Sequence, residues 1–108
     1  MLPIQPQDIQ VRIDQFTGQD LYMHLEMTTG AYAVSPASAF ISNAAVSFTN
    51  GSISGSGPYR VGLKTPQGWI YAEGLTHVDE SDKERLIMAG HDSQGKLIVA
   101  LQLSREKF

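Results

Sequence analysis

The chain contains no cysteine, which excludes disulfide cross-links, a thiol nucleophile and any thiolate-held metal. No apolar run approaches the ~20 consecutive residues that a membrane-spanning helix needs. Lysine and arginine are few and unclustered and the net charge is −3, which argues against a nucleic-acid partner, because such surfaces need grouped positive charge. The amino-terminal stretch MLPIQPQDIQ lacks the basic and long apolar regions of a signal peptide. A cytoplasmic protein with neither membrane nor nucleic-acid partners is therefore expected. Catalytic signatures are missing as well. Asn50-Gly-Ser-Ile-Ser-Gly-Ser-Gly lacks the Gly-Lys-Ser/Thr ending of a phosphate-binding loop, and there is no G-x-S-x-G elbow or H-E-x-x-H pair.

What is present is the composition of one ordinary folded domain. Its 108 residues are 42% apolar and 18% charged, enough for one core and too ordered in pattern for a disordered chain. The stretch from Gly55 to Leu75 organises the rest and holds the only Trp. Two runs of strand formers, Tyr59 to Lys64 and Trp69 to Glu73, flank Thr65-Pro66-Gln67-Gly68. Proline suits the second position of a type I turn and glycine the left-handed position after it, which predicts a hairpin with a bulge at Gly68. In that register Leu63 faces Tyr71 and Val61 faces Glu73, so that Val61, Leu63, Trp69 and Tyr71 form one apolar face with Glu73 at its end. Trp69 is then expected to be buried. The other face carries Arg60, Gly62, Lys64, Ile70, Ala72 and Gly74, whose small residues mark either a bend or a surface on which something lies flat.

Pro6 to Phe16 reads as the one helix, with proline in its first turn, Asp8 near its positive end and Gly18 as a left-handed cap. Ile9, Ile13 and Phe16 make its apolar stripe, and Val11 falls off it. From Asp20 to Met27 the pattern alternates: Leu21, Met23, Leu25 and Met27 point one way, and Tyr22, His24 and Glu26 the other. A turn at Thr28-Thr29-Gly30 leads to a return strand from Ala31 to Val34 built around Tyr32. Ser35 to Asn43 reads as a loop. Asn50-Gly51 predicts a tight hairpin joining Ala44–Thr49 to Ser52–Ser54, because both turn residues tolerate positive φ. The charge-rich THVDESDKE, from Thr76 to Glu84, reads as an exposed loop. A last hairpin joins Arg85–Gly90 to Lys96–Ser104, with His91 facing Leu97. Leu97, Val99, Leu101 and Leu103 share one face of it and Leu86, Met88, Ile98 and Ala100 the other. Two apolar faces on one hairpin exceed what one helix can cover, and this predicts a homodimer. Many short strands at close spacing make the fold all-β: a small antiparallel barrel or sandwich with one N-terminal helix.

Three groups of residues are able to carry chemistry. His24 and Glu26 form an H-x-E pair about 7 Å apart on one strand face, and with His91 they are candidate metal ligands or acid–base groups. Arg60 and Lys64, on one face of a strand, suit a carboxylate or phosphate. Glu73, placed on the apolar face, would need a cation beside it or hold its proton more tightly. Tyr22, which can stack or hydrogen-bond, completes a candidate binding set of Tyr22, His24, Glu26, Arg60, Lys64 and Glu73.

The blocks DLYMHLEMTTGAYA, GPYRVGLKTPQGWIYAEGLT and MAGHDSQGKLIVALQLS resemble the YojF-like family of small proteins from Bacillus and its relatives, over nearly the whole chain. That resemblance implies a mostly-β cytosolic protein and brings no catalytic residues or cofactor with it. It also implies an association with a de-N-acetylase of the bacillithiol pathway, and hence an accessory role beside a partner enzyme. The reading the sequence supports best is a non-catalytic interaction or small-molecule-binding domain, its ligand small and acidic. The rival reading is a small metal-dependent or acid–base enzyme using His24, Glu26 and His91.

Overall fold

The computed structural model describes residues 1–29 and 34–108. After a two-residue strand, β1 (Leu2–Pro3), comes the expected helix, α1 (Pro6–Phe16), with proline in its first turn and Asp8 near its positive end. Ile9, Ile13 and Phe16 are fully buried and Val11 is exposed, so the docked stripe is the one the spacing predicts. Gly18 takes φ 76° just past the helix end. At eleven residues α1 is far too short to cross a membrane, and no described helix is long and apolar enough to do so.

Strand β2 (Leu21–Thr28) alternates as expected: Leu21 and Met23 are buried, and Tyr22, His24 and Glu26 lie on the opposite, partly exposed face. The return strand expected from Ala31 to Val34 lies, all but its last residue, outside the described residues. Most of the segment read as a loop, from Ser38 to Asn43, joins the expected strand at Ala44–Val46 in one edge strand, β3 (Ser38–Val46), paired antiparallel with β2 from Thr28↔Ser38 to Leu21↔Val46. Its polarity misled because an edge strand needs little apolar burial. A bulge opposite Met23–Leu25, with Asn43 at φ 52°, absorbs one extra residue.

The Asn-Gly hairpin is absent. Asn50 and Gly51 begin β4 (Asn50–Ser54), which pairs with β5 (Tyr59–Lys64) in a separate three-stranded sheet completed by β6 (Trp69–Leu75). Gly51 serves close approach rather than a turn: a Cβ there would sit 2.5 Å from Ile13 Cγ2 and 3.0 Å from Leu63 and Phe48. The helix therefore rests directly on β4. Gln10 on α1 reaches the free edge of that strand, donating to Gly51 O at 3.0 Å and accepting from Ile53 N–H at 3.1 Å. One side-chain amide thus takes the place of a neighbouring strand.

The β5–β6 hairpin has the expected strands and a different register. Lys64 faces Trp69, Gly62 faces Tyr71, Val61 faces Ala72 and Arg60 faces Glu73, one residue from the register that a Gly68 bulge would set. Gly68 has no positive φ. It is held by its N–H donating to Thr65 Oγ1 (3.0 Å), while Thr65 N–H donates to Gly68 O (2.8 Å), leaving Pro66-Gln67 as a two-residue connection. A slip of one inverts every side chain of β6. Val61, Leu63 and Ala72 are buried, and Trp69, Tyr71 and Glu73 face outward. The expected burial of Trp69, and the place of Glu73 on the apolar face, are both overturned.

At Gly74 (φ 93°) the chain bends, and past Thr76 it continues as β7 (His77–Asp79) in the other sheet, so part of the charge-rich segment is strand rather than loop. β8 (Arg85–His91) and β9 (Leu97–Ser104) complete a six-stranded sheet in the order β1-β7-β8-β9-β2-β3. His91 faces Leu97 as expected, but a bulge at Gly90/His91 then shifts the pairing to Leu86↔Leu103 and Met88↔Leu101. Leu86 and Met88 therefore share the buried face of Leu101 and Leu103 instead of opposing it, and the second apolar face that predicted the homodimer does not exist as drawn. The two sheets enclose one contiguous core with α1 against it. The architecture is a sandwich, not a closed barrel.

Candidate ligand-binding face

The corrected register builds a surface that sequence reasoning missed. On the outward side of the three-stranded sheet, alternation places Asn50, Lys64 and Trp69 in one cross-strand row, Ser52, Gly62 and Tyr71 in the next, and Ser54, Arg60 and Glu73 in the third. Trp69 is 68% exposed and Tyr71 57%, unusual for side chains that normally seek a partner when so large. The Arg60 guanidinium lies 4.1 Å from the Tyr71 ring centre and the Lys64 ammonium 5.1 Å from that of Trp69. Both are within cation–π range. Between them is the Gly62 backbone, where an added Cβ would meet nothing within 4 Å. An open basin of ≈ 530 Å³ results, lined by Ser52, Ser54, Arg60, Gly62, Trp69 and Tyr71.

The electrostatics of this face run against those of the chain. Among the described residues the ion pairs are Arg85–Asp82 and Arg105–Glu84, so neither Arg60 nor Lys64 is neutralised by a carboxylate. Glu73 is the direct cross-strand neighbour of Arg60, yet the guanidinium lies on Tyr71. Stacking fixes the plane of a guanidinium while leaving its N–H edge free for a bidentate acceptor.

Tyr22, His24 and Glu26 are elsewhere, on the outer face of the six-stranded sheet. His24 contacts Phe108 edge-on, with centroids 3.8 Å apart, and stacks at 5.6 Å on Phe40. Lys107 lies 5.8 Å above the Tyr22 ring, Arg85 lies 4.8 Å from Phe108, and the Phe108 N–H donates to Asn43 Oδ1 at 2.8 Å. The carboxy-terminal residues thus fold across this face. His24 and Glu26 point away from the three-stranded sheet, and Arg60 and Lys64 point away from the six-stranded one. The fold therefore does not bring the two halves of the candidate set together. His91 does not join His24 and Glu26 either. Its ring meets that of His77 at 5.3 Å, and His77 Nδ1 is 2.7 Å from Thr76 Oγ1. No group of three or more His, Asp or Glu that could hold a metal ion occurs among the described residues.

A second hollow, of ≈ 350 Å³, opens between the sheets and is mainly apolar, lined among others by Leu25, Met27, Ile41, Tyr71 and Val99, with Glu73 at its rim. The two carboxylates held below their usual pKa are both turn anchors away from these sites. Asp79 is lowered by the Ser81 hydroxyl and backbone N–H, and Asp92 by the backbone N–H groups of Lys96 and Gln94.

Comparison with known proteins adds a lineage. A family described as "Protein of unknown function (DUF1806)" has a model that matches residues 3–108. The chain is 44% identical over 114 residues to the "Uncharacterized protein YojF" of Bacillus subtilis, covering 100% of this chain and 98% of that one. Among solved structures it is similar to the crystal structure of the Bacillus subtilis YojF protein, with a TM-score of 0.86 and 45% identity over 98% of this chain and 94% of the other.

Proposed function

The chain belongs to the DUF1806 family, whose function is undescribed, and from its geometry we propose that it is a non-catalytic binding domain for a small polyhydroxylated acid, such as a sugar phosphate or sugar acid. The observation that carries this reading is the pair of unneutralised cations, Arg60 and Lys64, held over exposed Tyr71 and Trp69 around a bare glycine floor. The cations meet the acid group, the Ser52 and Ser54 hydroxyls meet ligand hydroxyls, and the aromatic edges pack on an apolar ring face. These groups bind and orient; the face offers no nucleophile with a base beside it. Two cations on a chain of net charge −3 suit a small anion better than a nucleic-acid backbone, which requires many phosphate contacts.

The accessory role in bacillithiol-type thiol metabolism implied by the family resemblance fits the same reading, with the domain acting in the cytoplasm and holding a small molecule for a partner enzyme. Trp69, as the only Trp, makes the test direct. Titration with a hexose phosphate should change its emission saturably, neutral hexose should not, and Arg60→Ala should weaken the response at least tenfold. Equal responses to charged and neutral sugars, or no loss in Arg60→Ala, would reject the assignment.

A further inference from the structure

We propose that β3 is the interface of a two-fold homodimer, in which two copies pair antiparallel about Phe40 and join their sheets into one continuous twelve-stranded sheet. The starting point is how the other edges are managed. β1, at one end of the six-stranded sheet, has two residues, one of them Pro3. The free edge of β4 is occupied by the Gln10 amide, and β6 bends at Gly74 into the other sheet. Short strands, proline and covered backbone are the usual protections against edge-to-edge pairing. Among the described residues β3 has none of these three, and its one bulge lies near Asn43, at the far end of Ser38–Ser42. It is nine residues long, Ser38–Val46, contains no charged residue and no proline, and is exposed along most of its length.

Its backbone is also poised to pair. Thr29 N–H donates to Ala37 O at 2.8 Å, and Ala37 N–H to Thr29 Oγ1 at 2.8 Å, which marks 29 and 37 as a hydrogen-bonded position. The antiparallel alternation then directs the N–H and C=O groups of Ser38 and Phe40 away from β2, to the open edge. Beside them are large exposed apolar side chains: Phe40 at 60% exposure, Met27 at 64%, and Ile41.

A second copy is the occupant because the strand matches itself. Ser38-Ala39-Phe40-Ile41-Ser42 reads the same in both directions by side-chain type: small polar, aliphatic, Phe, aliphatic, small polar. A two-fold axis at Phe40 sets Phe40 against its copy, a favourable aromatic pair, with Ser38 against Ser42 and Ala39 against Ile41, where no like charges meet. Such an axis makes the contact isologous and closed, so pairing stops at two. On one face the Phe40 pair extends the stack already made with His24. On the other, the partner's aliphatic residues shield Ile41 and the mouth of the hollow between the sheets. The hollow it covers shares Tyr71 with the ligand face, but the interface does not rest on ligand binding there.

Light scattering at micromolar concentration should give twice the 11.8 kDa chain mass. Phe40→Lys, which places like charges together at the axis, should halve that mass while leaving the circular dichroism spectrum unchanged. Because the chain has no cysteine, Phe40→Cys should oxidise to a disulfide-linked dimer, whereas Val11→Cys, on the exposed side of α1, should not. If Phe40→Lys does not fold, Ser42→Lys replaces it. A monomeric native protein, a dimer that survives the lysine substitution, or equal cross-linking at positions 11 and 40 would overturn the interface.

Discussion

Gly90→Ala probes the packing of the two sheets, and its cost can be worked from the structure. Gly90 pairs with Val99 on the buried face of β8, where the bend of β6 crosses it. A Cβ at Gly90 would run into the carbonyl oxygen of Gly74, with the Gly74 carbonyl carbon at 2.8 Å and Val99 Cγ1 at 2.7 Å. The obstacle is backbone, so no rotamer change relieves it. Moving Gly74 outward would also draw Ala72 and Leu75, both buried, out of the core. Overpacking of this kind costs about 1–3 kcal/mol and occasionally more, and opposition by backbone places Gly90→Ala at the upper end, about 3 kcal/mol. That is a large share of a typical domain stability of about 5–15 kcal/mol. Urea denaturation followed by circular dichroism should show a midpoint lower by about 1–3 M, with a Tm lower by about 12–24 °C. Gly62→Ala and Gly68→Ala serve as controls. An added Cβ meets nothing within 4 Å at either site and neither has positive φ, so each should be neutral or stabilise by up to about 1 kcal/mol through the unfolded chain. Gly90→Ala with an unchanged midpoint would mean that the sheets do not meet there.

Trp69→Ala should change stability by no more than about 0.5 kcal/mol, as for other exposed sites, while weakening hexose-phosphate binding measured by calorimetry; a cost of several kcal/mol in thermal denaturation would restore the buried assignment. Gln10→Ala should cost about 1–2 kcal/mol by removing both of its hydrogen bonds to β4, and amide hydrogen exchange at Ile53 should quicken; unchanged exchange would contradict the edge-capping role. Asp92 has its pKa depressed by the backbone N–H groups it accepts from, so its contribution is present above the unfolded carboxylate value and is lost as pH falls through the lower folded value. Exchange protection in the β8–β9 turn should therefore weaken selectively on acidification below about pH 4, and Asp92→Asn should remove that pH dependence.

The fold class and most strands were legible because they rest on local signals. The helix stripe Ile9, Ile13 and Phe16 and the alternation of β2 follow from periodicity, and the strands of the two long hairpins follow from runs of strand formers on either side of turn residues. Turn chemistry misled where tertiary contacts decide the outcome. Asn50-Gly51 carries the strongest hairpin signal in the chain, yet Gly51 is needed under Ile13 and Phe48, a demand that only the docked helix reveals. At Pro66-Gln67 the Thr65 hydroxyl holds Gly68, and that single hydrogen-bonding choice moves the register by one. The consequence for the site is direct. Arg60 and Lys64 are recognisable from sequence as same-face cations, but their aromatic partners Trp69 and Tyr71 are assigned to the opposite face until the register is known. A usable signal was there: with Ala72 turned inward, Val61, Leu63 and Ala72 form a close-packed face, and Glu73 no longer needs burial.

The outer face of the three-stranded sheet is tested most directly by amide and indole chemical shifts of isotope-labelled protein during titration with a hexose phosphate. The shifts should concentrate on Arg60, Gly62, Lys64, Tyr71 and the Trp69 indole, leaving Tyr22, His24 and Glu26 unmoved. Shifts centred on the Tyr22–His24–Glu26 face, or none at either face, would contradict the assignment.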